Sequence, residues 1–199
     1  MKQHHLSTGR KVGLLGGTFD PPHLGHLLLA EDARYALGLS AVYFVVTGEP
    51  DYKRGATPVR HRLAMTELAV ADNPNFRVSY VDAERAGPTY TVDTLTDLVA
   101  GEVDTEFFFI CGSDNIDGLN GWRDIDRVLD MATFVMGERE GEPVEIPAEF
   151  RGRVKVFPSQ VTGLSSSSLR NGIKHGKTLR YAVPPTVERY VQEHFLYRV

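Results

Sequence analysis

The stretch Gly16-Gly17-Thr18-Phe19-Asp20-Pro21-Pro22-His23-Leu24-Gly25-His26 decides how this chain folds. In front of it stands Val12-Gly13-Leu14-Leu15, a short apolar run that reads as a buried strand over residues 12–16. Behind it runs a helical pattern from Leu24 to Leu37, with Gly38 as its stop. A strand that ends in small residues and feeds a helix is a layout that cradles phosphate. Glycines let the backbone come close to an anion, and a helix start offers unpaired N–H groups and the positive end of its dipole. His23 and His26 are three residues apart, so they share one face of that helix. Imidazoles held there can donate hydrogen bonds to negative charge developing on a phosphoryl group.

Other readings of the stretch are weaker. It contains no G-x-G-x-x-G, so it is not a dinucleotide fingerprint. The Walker-like run from Gly172 to Thr178 has its glycines one residue too close and no strand before it. Zinc would ask for a third and fourth protein ligand, and no Cys or carboxylate follows the two histidines at the right spacing. The plainest alternative is a helix start that carries two surface histidines.

Working outward, strand-like and helix-like segments alternate. Strands are expected at 41–46, 76–81, 106–111, 132–136 and 153–157, where β-branched and aromatic residues gather. Thr57-Pro58 reads as a helix cap followed by Pro at the first helical position, with the helix running to about Ala71. Thr91 reads as the cap of a helix that ends at Gly101, and Asp114 as the cap of a short helix over 115–119. Helices close the chain near 166–175 and 185–193. This alternation predicts an α/β fold, a Rossmann-like doubly wound parallel sheet with helices on both faces. Ligands bind such sheets at the carboxyl ends of the strands. The Glu-, Pro- and Gly-rich stretch 137–152 reads as an exposed loop.

Composition narrows the function. The chain has 199 residues, of which 42% are hydrophobic, enough for one domain with a full core. Its net charge of −4 argues against nucleic acid held by a global positive field. Cys111 is the only cysteine, so no internal disulfide can form. No apolar run is long enough to span a membrane, and residues 1–10 are polar, a flexible extension rather than a secretory leader. The expectation is one cytoplasmic domain over 1–199 with no nucleic-acid or membrane partner. Homo-oligomerisation is left open.

Later segments complete a family pattern. The H-x-G-H of His23 to His26, on a strand–loop–helix, resembles the signature of a nucleotidyltransferase superfamily. Gly87-Pro88-Thr89-Tyr90-Thr91-Val92-Asp93-Thr94-Leu95 is similar to the G-P-[ST]-Y-T-x-x-T-L element of bacterial nicotinate-nucleotide adenylyltransferases. So is Phe109-Ile110-Cys111-Gly112-Ser113-Asp114, with Trp122 after it, to their strand ending in G-x-D. Leu164-Ser165-Ser166-Ser167-Ser168-Leu169-Arg170 matches their I-S-S-T-x-I-R, with Ser167 for the usual Thr. The chain end from Val183 to Tyr197 is similar too, so the resemblance covers nearly the whole chain in order.

The resemblance implies adenylyl transfer from ATP to nicotinate mononucleotide, with Mg2+ carried mainly on the ATP phosphates. It implies that His23, His26 and Arg170 are catalytic. ATP would be held by Gly16, Gly17, Thr18, Phe19, His23, His26, Gly112, Asp114, Arg139, Ser165, Ser166 and Arg170. The mononucleotide would meet Lys53, Thr89, Tyr90, Thr91 and Trp122. Read from the residues alone, several of these have simpler roles. Serines 165–168 can cap a helix, Trp122 can pack on a sheet edge, and Arg60 and Arg62 read as a solvated helix face. Three alternatives stand beside the main reading. They are the same chemistry on nicotinamide mononucleotide, a pantetheine-phosphate adenylyltransferase, and a nucleotide-binding regulator without turnover.

Overall fold

The structure, a computed structural model, describes residues 9–48, 55–112, 118–138, 143–160 and 163–198. In chain order its elements are β1 (Arg10–Gly17), α1 (Leu24–Leu37), β2 (Ala41–Val46), α2 (Val59–Val70) and β3 (Phe76–Ser79). Then come α3 (Thr91–Gly101), β4 (Thr105–Gly112), α4 (Ile125–Met131), β5 (Thr133–Glu138), β6 (Val154–Pro158), α5 (Ser166–Lys174) and α6 (Pro185–Glu193). The strands form one sheet in the order β3-β2-β1-β4-β5-β6, and every neighbouring pair is parallel. This is the doubly wound order, and its direction reverses between β1 and β4. Gly17 ends β1 and Gly112 ends β4, so the crevice at the switch point opens directly above the glycine loop.

Both faces of the sheet are buried, which explains why the strands read as continuous apolar runs. Phe107, Phe109 and Cys111 of β4 face α3 and α4, with Val92, Leu95 and Val128. Phe108 and Ile110 point the other way, into a layer with Leu29, Ala30 and Ala33 of α1. Gly13 pairs with Phe108 in register, and a side chain there would come within 2.8 Å of Ile110 and Leu39. A third, smaller core sits away from the sheet. There Met65 and Ala69 of α2 meet Val187 and Val191 of α6 together with Leu179 and Val183.

Several local expectations are corrected. The α2 N-cap is Pro58, not Thr57, and the α3 N-cap is Tyr90, not Thr91. In each case the extended residue lies one position away from the hydroxyl that sequence favoured. β3 stops at Ser79, before Tyr80 and Val81. Helix α4 was not foreseen; it is only seven residues long, and its signal is Ile125, Val128 and Leu129 at helical spacing. The helix expected over 115–119 falls mostly outside the described residues. Within the stretch 137–152, residues 139–142 lie outside the described residues, and the rest is not simply an exposed loop. Phe150 is buried in a 3-10 turn (Ala148–Phe150), and Val144 and Ile146 pack on the β4 core. Among the described residues no helix is long and apolar enough to cross a membrane.

Candidate active site

The loop between β1 and α1 is built from inside outward. Phe19 takes a left-handed backbone (φ 49°) and turns its ring back over Gly17. A Cβ on Gly17 would lie 3.0 Å from that ring, so the glycine makes room for Phe19. Gly16 is different. It is exposed, and its nearest neighbour is the Phe109 ring at 3.4 Å, so its open side faces the crevice. The Phe19 ring meets His26 edge-on at 5.0 Å and supports it from behind.

The two histidines do not sit together on an open surface: His23 is buried and His26 half-buried. His23 is the N-cap of α1, and its ring is buried. His26, at the third helical position, accepts a hydrogen bond at Nδ1 from the His23 backbone N–H, 3.1 Å away. This is one half of a capping box, the back-bond from the third helical position, with imidazole in place of the usual Glu or Gln. An accepting Nδ1 carries no proton, so the neutral His26 ring holds its proton on Nε2, a donor. The His23 ring stacks on His26 at 3.6 Å, nearly parallel. Burial lowers the His23 pKa to about 4, because the charged form would lose its water. His23 is therefore neutral at physiological pH. Its Nδ1 is buried without a hydrogen-bond partner. Such orphaned groups are rare, and this one lies in the loop that the sequence marks for phosphate.

The fold brings the serine-rich segment to the same loop, 145 residues away in sequence. Ser166 donates from Oγ to the Pro21 carbonyl at 2.9 Å. Arg170 donates from Nη1 to the Asp20 carbonyl at 2.7 Å and from Nη2 to Ser167 Oγ at 3.2 Å. Ser165 caps α5 by accepting from the Ser168 N–H, as its position foretold. Ser165 is thus a cap, and the same turn brings Ser166 and Arg170 to the loop that carries His23 and His26. Further along α5, the amides of His175 and Lys177 both donate to the Gly172 carbonyl. The Walker-like run is thus a helix end and not a phosphate loop.

Thr89, Tyr90 and Thr91 lie across the crevice, at the start of α3. Thr89 approaches the end of β2, where a Cβ on Gly48 would collide with the Asp82 carbonyl at 2.4 Å and lie 3.5 Å from Thr89. The Thr89 hydroxyl is buried and unpartnered. Arg123 stacks over the Tyr90 ring at 4.9 Å. Trp122 packs edge-on against Phe109 and Phe134, each at 5.7 Å, and is half-buried, so it is anchored in the core while part of it stays accessible. Asp82 is buried and accepts from Thr94 Oγ1 at 2.5 Å; burial raises its pKa. Lys53, Asp114 and Arg139 lie outside the described residues.

One residue that sequence reading placed on a solvated face proves to be the largest fully buried side chain among the described residues. Arg62, on α2, is 1% exposed. Nε donates to the Thr57 carbonyl at 2.8 Å, and Nη1 donates to those of Thr18 and Thr47 at 3.0 and 2.5 Å. Nη2 donates to the Gly48 carbonyl. The guanidinium fork gathers carbonyls that strand ends expose when their ladders stop. It ties the loop after β1 to both ends of the segment between β2 and α2.

Comparison with known proteins places the chain in a family. The family model described as Cytidylyltransferase-like matches residues 14–172. A protein of Thermomicrobium roseum named probable nicotinate-nucleotide adenylyltransferase is 41% identical over 94% of this chain and 92% of its own. One of the same name from Thermus thermophilus is 42% identical over 94% of this chain and 100% of its own. Among solved structures, Plasmodium falciparum nicotinic acid mononucleotide adenylyltransferase complexed with NaAD superposes with a TM-score of 0.79. It is 17% identical and covers 94% of this chain and 97% of its own, a likeness of fold.

Proposed function

This chain belongs to the cytidylyltransferase-like family, among its nicotinate-nucleotide adenylyltransferases, and on that premise we propose that it joins ATP to nicotinate mononucleotide, giving deamido-NAD and pyrophosphate. The observation that carries this reading is the convergence of His23, His26 and Arg170 on one loop at the switch point of the sheet. In the reaction a phosphate oxygen of the mononucleotide attacks the α-phosphorus of ATP in line. A new P–O bond forms as the bond to pyrophosphate breaks. The attacking oxygen is already anionic near neutral pH, so no general base is required. The protein's work is positioning and stabilisation of charge. The His26 Nε2–H donates to oxygen on the reacting phosphates. His23 supplies a second, neutral imidazole, and Arg170 brings a fixed positive fork. Gly16 leaves the backbone open to the nucleotide, while Thr18 and Phe19 form the wall behind it.

Magnesium fits this site as an ion carried on the nucleotide. Among the described residues no group of three or more His, Cys, Asp or Glu is arranged to hold a metal. When bound it would neutralise charge on the phosphate oxygens and keep several waters.

The start of α3 sets the choice of mononucleotide. A pyridine carboxylate there meets helix N–H groups and the positive end of the dipole, with the Thr89 hydroxyl as a further donor. Trp122 offers a flat face for the ring. Hydrogen bonds to a charged acceptor contribute about 1.5–3 kcal/mol, against about 1 for a neutral one, and an amide would turn its own donors toward donors. Measured side by side with ATP and magnesium, nicotinate mononucleotide should exceed nicotinamide mononucleotide in kcat/KM by roughly ten- to several-hundredfold. Equal values, or preference for the amide, would overturn the acid assignment.

A further inference from the structure

The last residues of the described chain reach into the site. Helix α6 ends where Phe195 turns left-handed (φ 53°) and the Leu196 N–H returns to the Val191 carbonyl at 3.0 Å. Tyr197 is left-handed too (φ 65°), a backbone that costs a bulky residue energy and persists only where its surroundings hold it. Its hydroxyl donates to Asp20 Oδ1 at 2.7 Å. Burial, first of all, and then the Asp20 charge raise the Tyr197 pKa, so the phenol keeps the proton that it donates.

Asp20 in turn is a hub. It is 3% exposed. Its Oδ2 accepts from the Thr57 N–H at 3.1 Å, and its backbone carbonyl accepts from Arg170 Nη1 at 2.7 Å. The same guanidinium nitrogen is 4.0 Å from Oδ2. One aspartate therefore meets the residue before the α2 cap, the arginine of α5 and the segment after α6. Each carboxylate oxygen has a fixed donor, so the side chain cannot swing toward Arg170 and collapse onto it. That leaves Arg170 aimed by the carbonyl and by Ser167, its charge only partly met by the acid.

We propose that Tyr197 and Asp20 form a latch by which the chain's tail positions Arg170 for the nucleotide phosphates. Tyr197 is a positioning residue: it acts through Asp20. The inference rests on the functional reading above for its last link only; the latch itself is a matter of geometry.

Tyr197→Phe removes one hydroxyl, which besides Asp20 meets the Thr57 side chain and, at 3.8 Å, Met65 Sδ. Loss of a hydrogen bond to a carboxylate corresponds to about a tenfold loss or more. In the whole chain, kcat/KM for ATP should fall by about that factor, while KM for the mononucleotide stays within twofold. In the Arg170→Lys background the same change should have almost no effect, because the group it orients has already lost its fork. The Thr57 amide should exchange with solvent faster in Tyr197→Phe, as Asp20 loses its anchor. A change of less than twofold, equal rises in both KM values, or full additivity with Arg170→Lys would overturn the positioning role. If the wild-type chain transfers no adenylyl group, the functional reading fails. The Thr57 amide then still decides the latch: faster exchange supports it and unchanged exchange removes it.

Discussion

Replacing His26 with alanine should lower kcat by about a hundredfold to a thousandfold, the usual cost of removing one donor preorganised for developing charge. KM for ATP should change far less, since Arg170 and His23 remain. The geometry makes the test sharper than a simple deletion. His26 does two things: Nδ1 caps the His23 N–H, and Nε2 carries the ring's proton. Alanine removes both, and loss of the cap alone should cost about 1 kcal/mol of stability. His26→Gln separates them. Glutamine at this helical position reaches back to the cap N–H, as in an ordinary capping box. It should restore the stability of the helix start without restoring turnover. A glutamine variant with near-normal kcat, or an alanine variant within a few-fold of wild type, would remove His26 from the charge-stabilising role.

Arg62→Met should be the most destabilising single change in the frame of the site. Methionine is similar in length and would fill the space, so the loss is not one of volume. Four carbonyls, those of Thr18, Thr47, Gly48 and Thr57, would lose a charged donor in a buried setting. Each neglected buried acceptor costs about 1–3 kcal/mol, offset in part because the guanidinium's own desolvation is relieved. A net loss of about 3–5 kcal/mol is expected, which for a domain of this size lowers Tm by roughly 10 °C. Arg62→Lys should fall between, since an ammonium has three donors on a point charge and cannot span the fork. Denaturant unfolding of the three proteins measures this. A methionine variant within about 1 kcal/mol of wild type would show that the clasp contributes little.

What could be read from the sequence follows the range of the interaction. The β1–loop–α1 unit was legible because its signal is contiguous: an apolar run, glycines, then a helical pattern ended by Gly38. The parallel sheet was legible for the same reason, since strands buried on both faces show as runs such as Phe107 to Cys111. The serine segment could be placed at the site because strand ends and helix starts meet there in any doubly wound sheet. Arg62 could not be read. Its acceptors at Thr18 and Thr47 are 44 and 15 residues away, and nothing local distinguishes it from a solvated arginine. Tyr197 and Asp20 are 177 residues apart, and a tyrosine near a chain end carries no local mark of its partner. Helix α4 was too short for a clear period, and Phe150 was hidden among Glu, Pro and Gly that read as loop. Asp124 even adopts a left-handed backbone at the start of α4, against the extended conformation expected of a cap.

In the proposed reaction the adenylyl group passes directly from ATP to the mononucleotide, with the protein supplying position and charge. Cys111, the one thiol in the sequence, is buried near the end of β4 on the face packed against α3 and α4. ATP labelled at the α-phosphorus tests this most directly. The protein is incubated with it and magnesium, first alone and then with nicotinate mononucleotide, and the label is followed. Direct transfer leaves no label on the protein in the first case, and in the second gives one labelled dinucleotide for each pyrophosphate released. Label held covalently by the protein, or pyrophosphate released without a labelled dinucleotide, would contradict it.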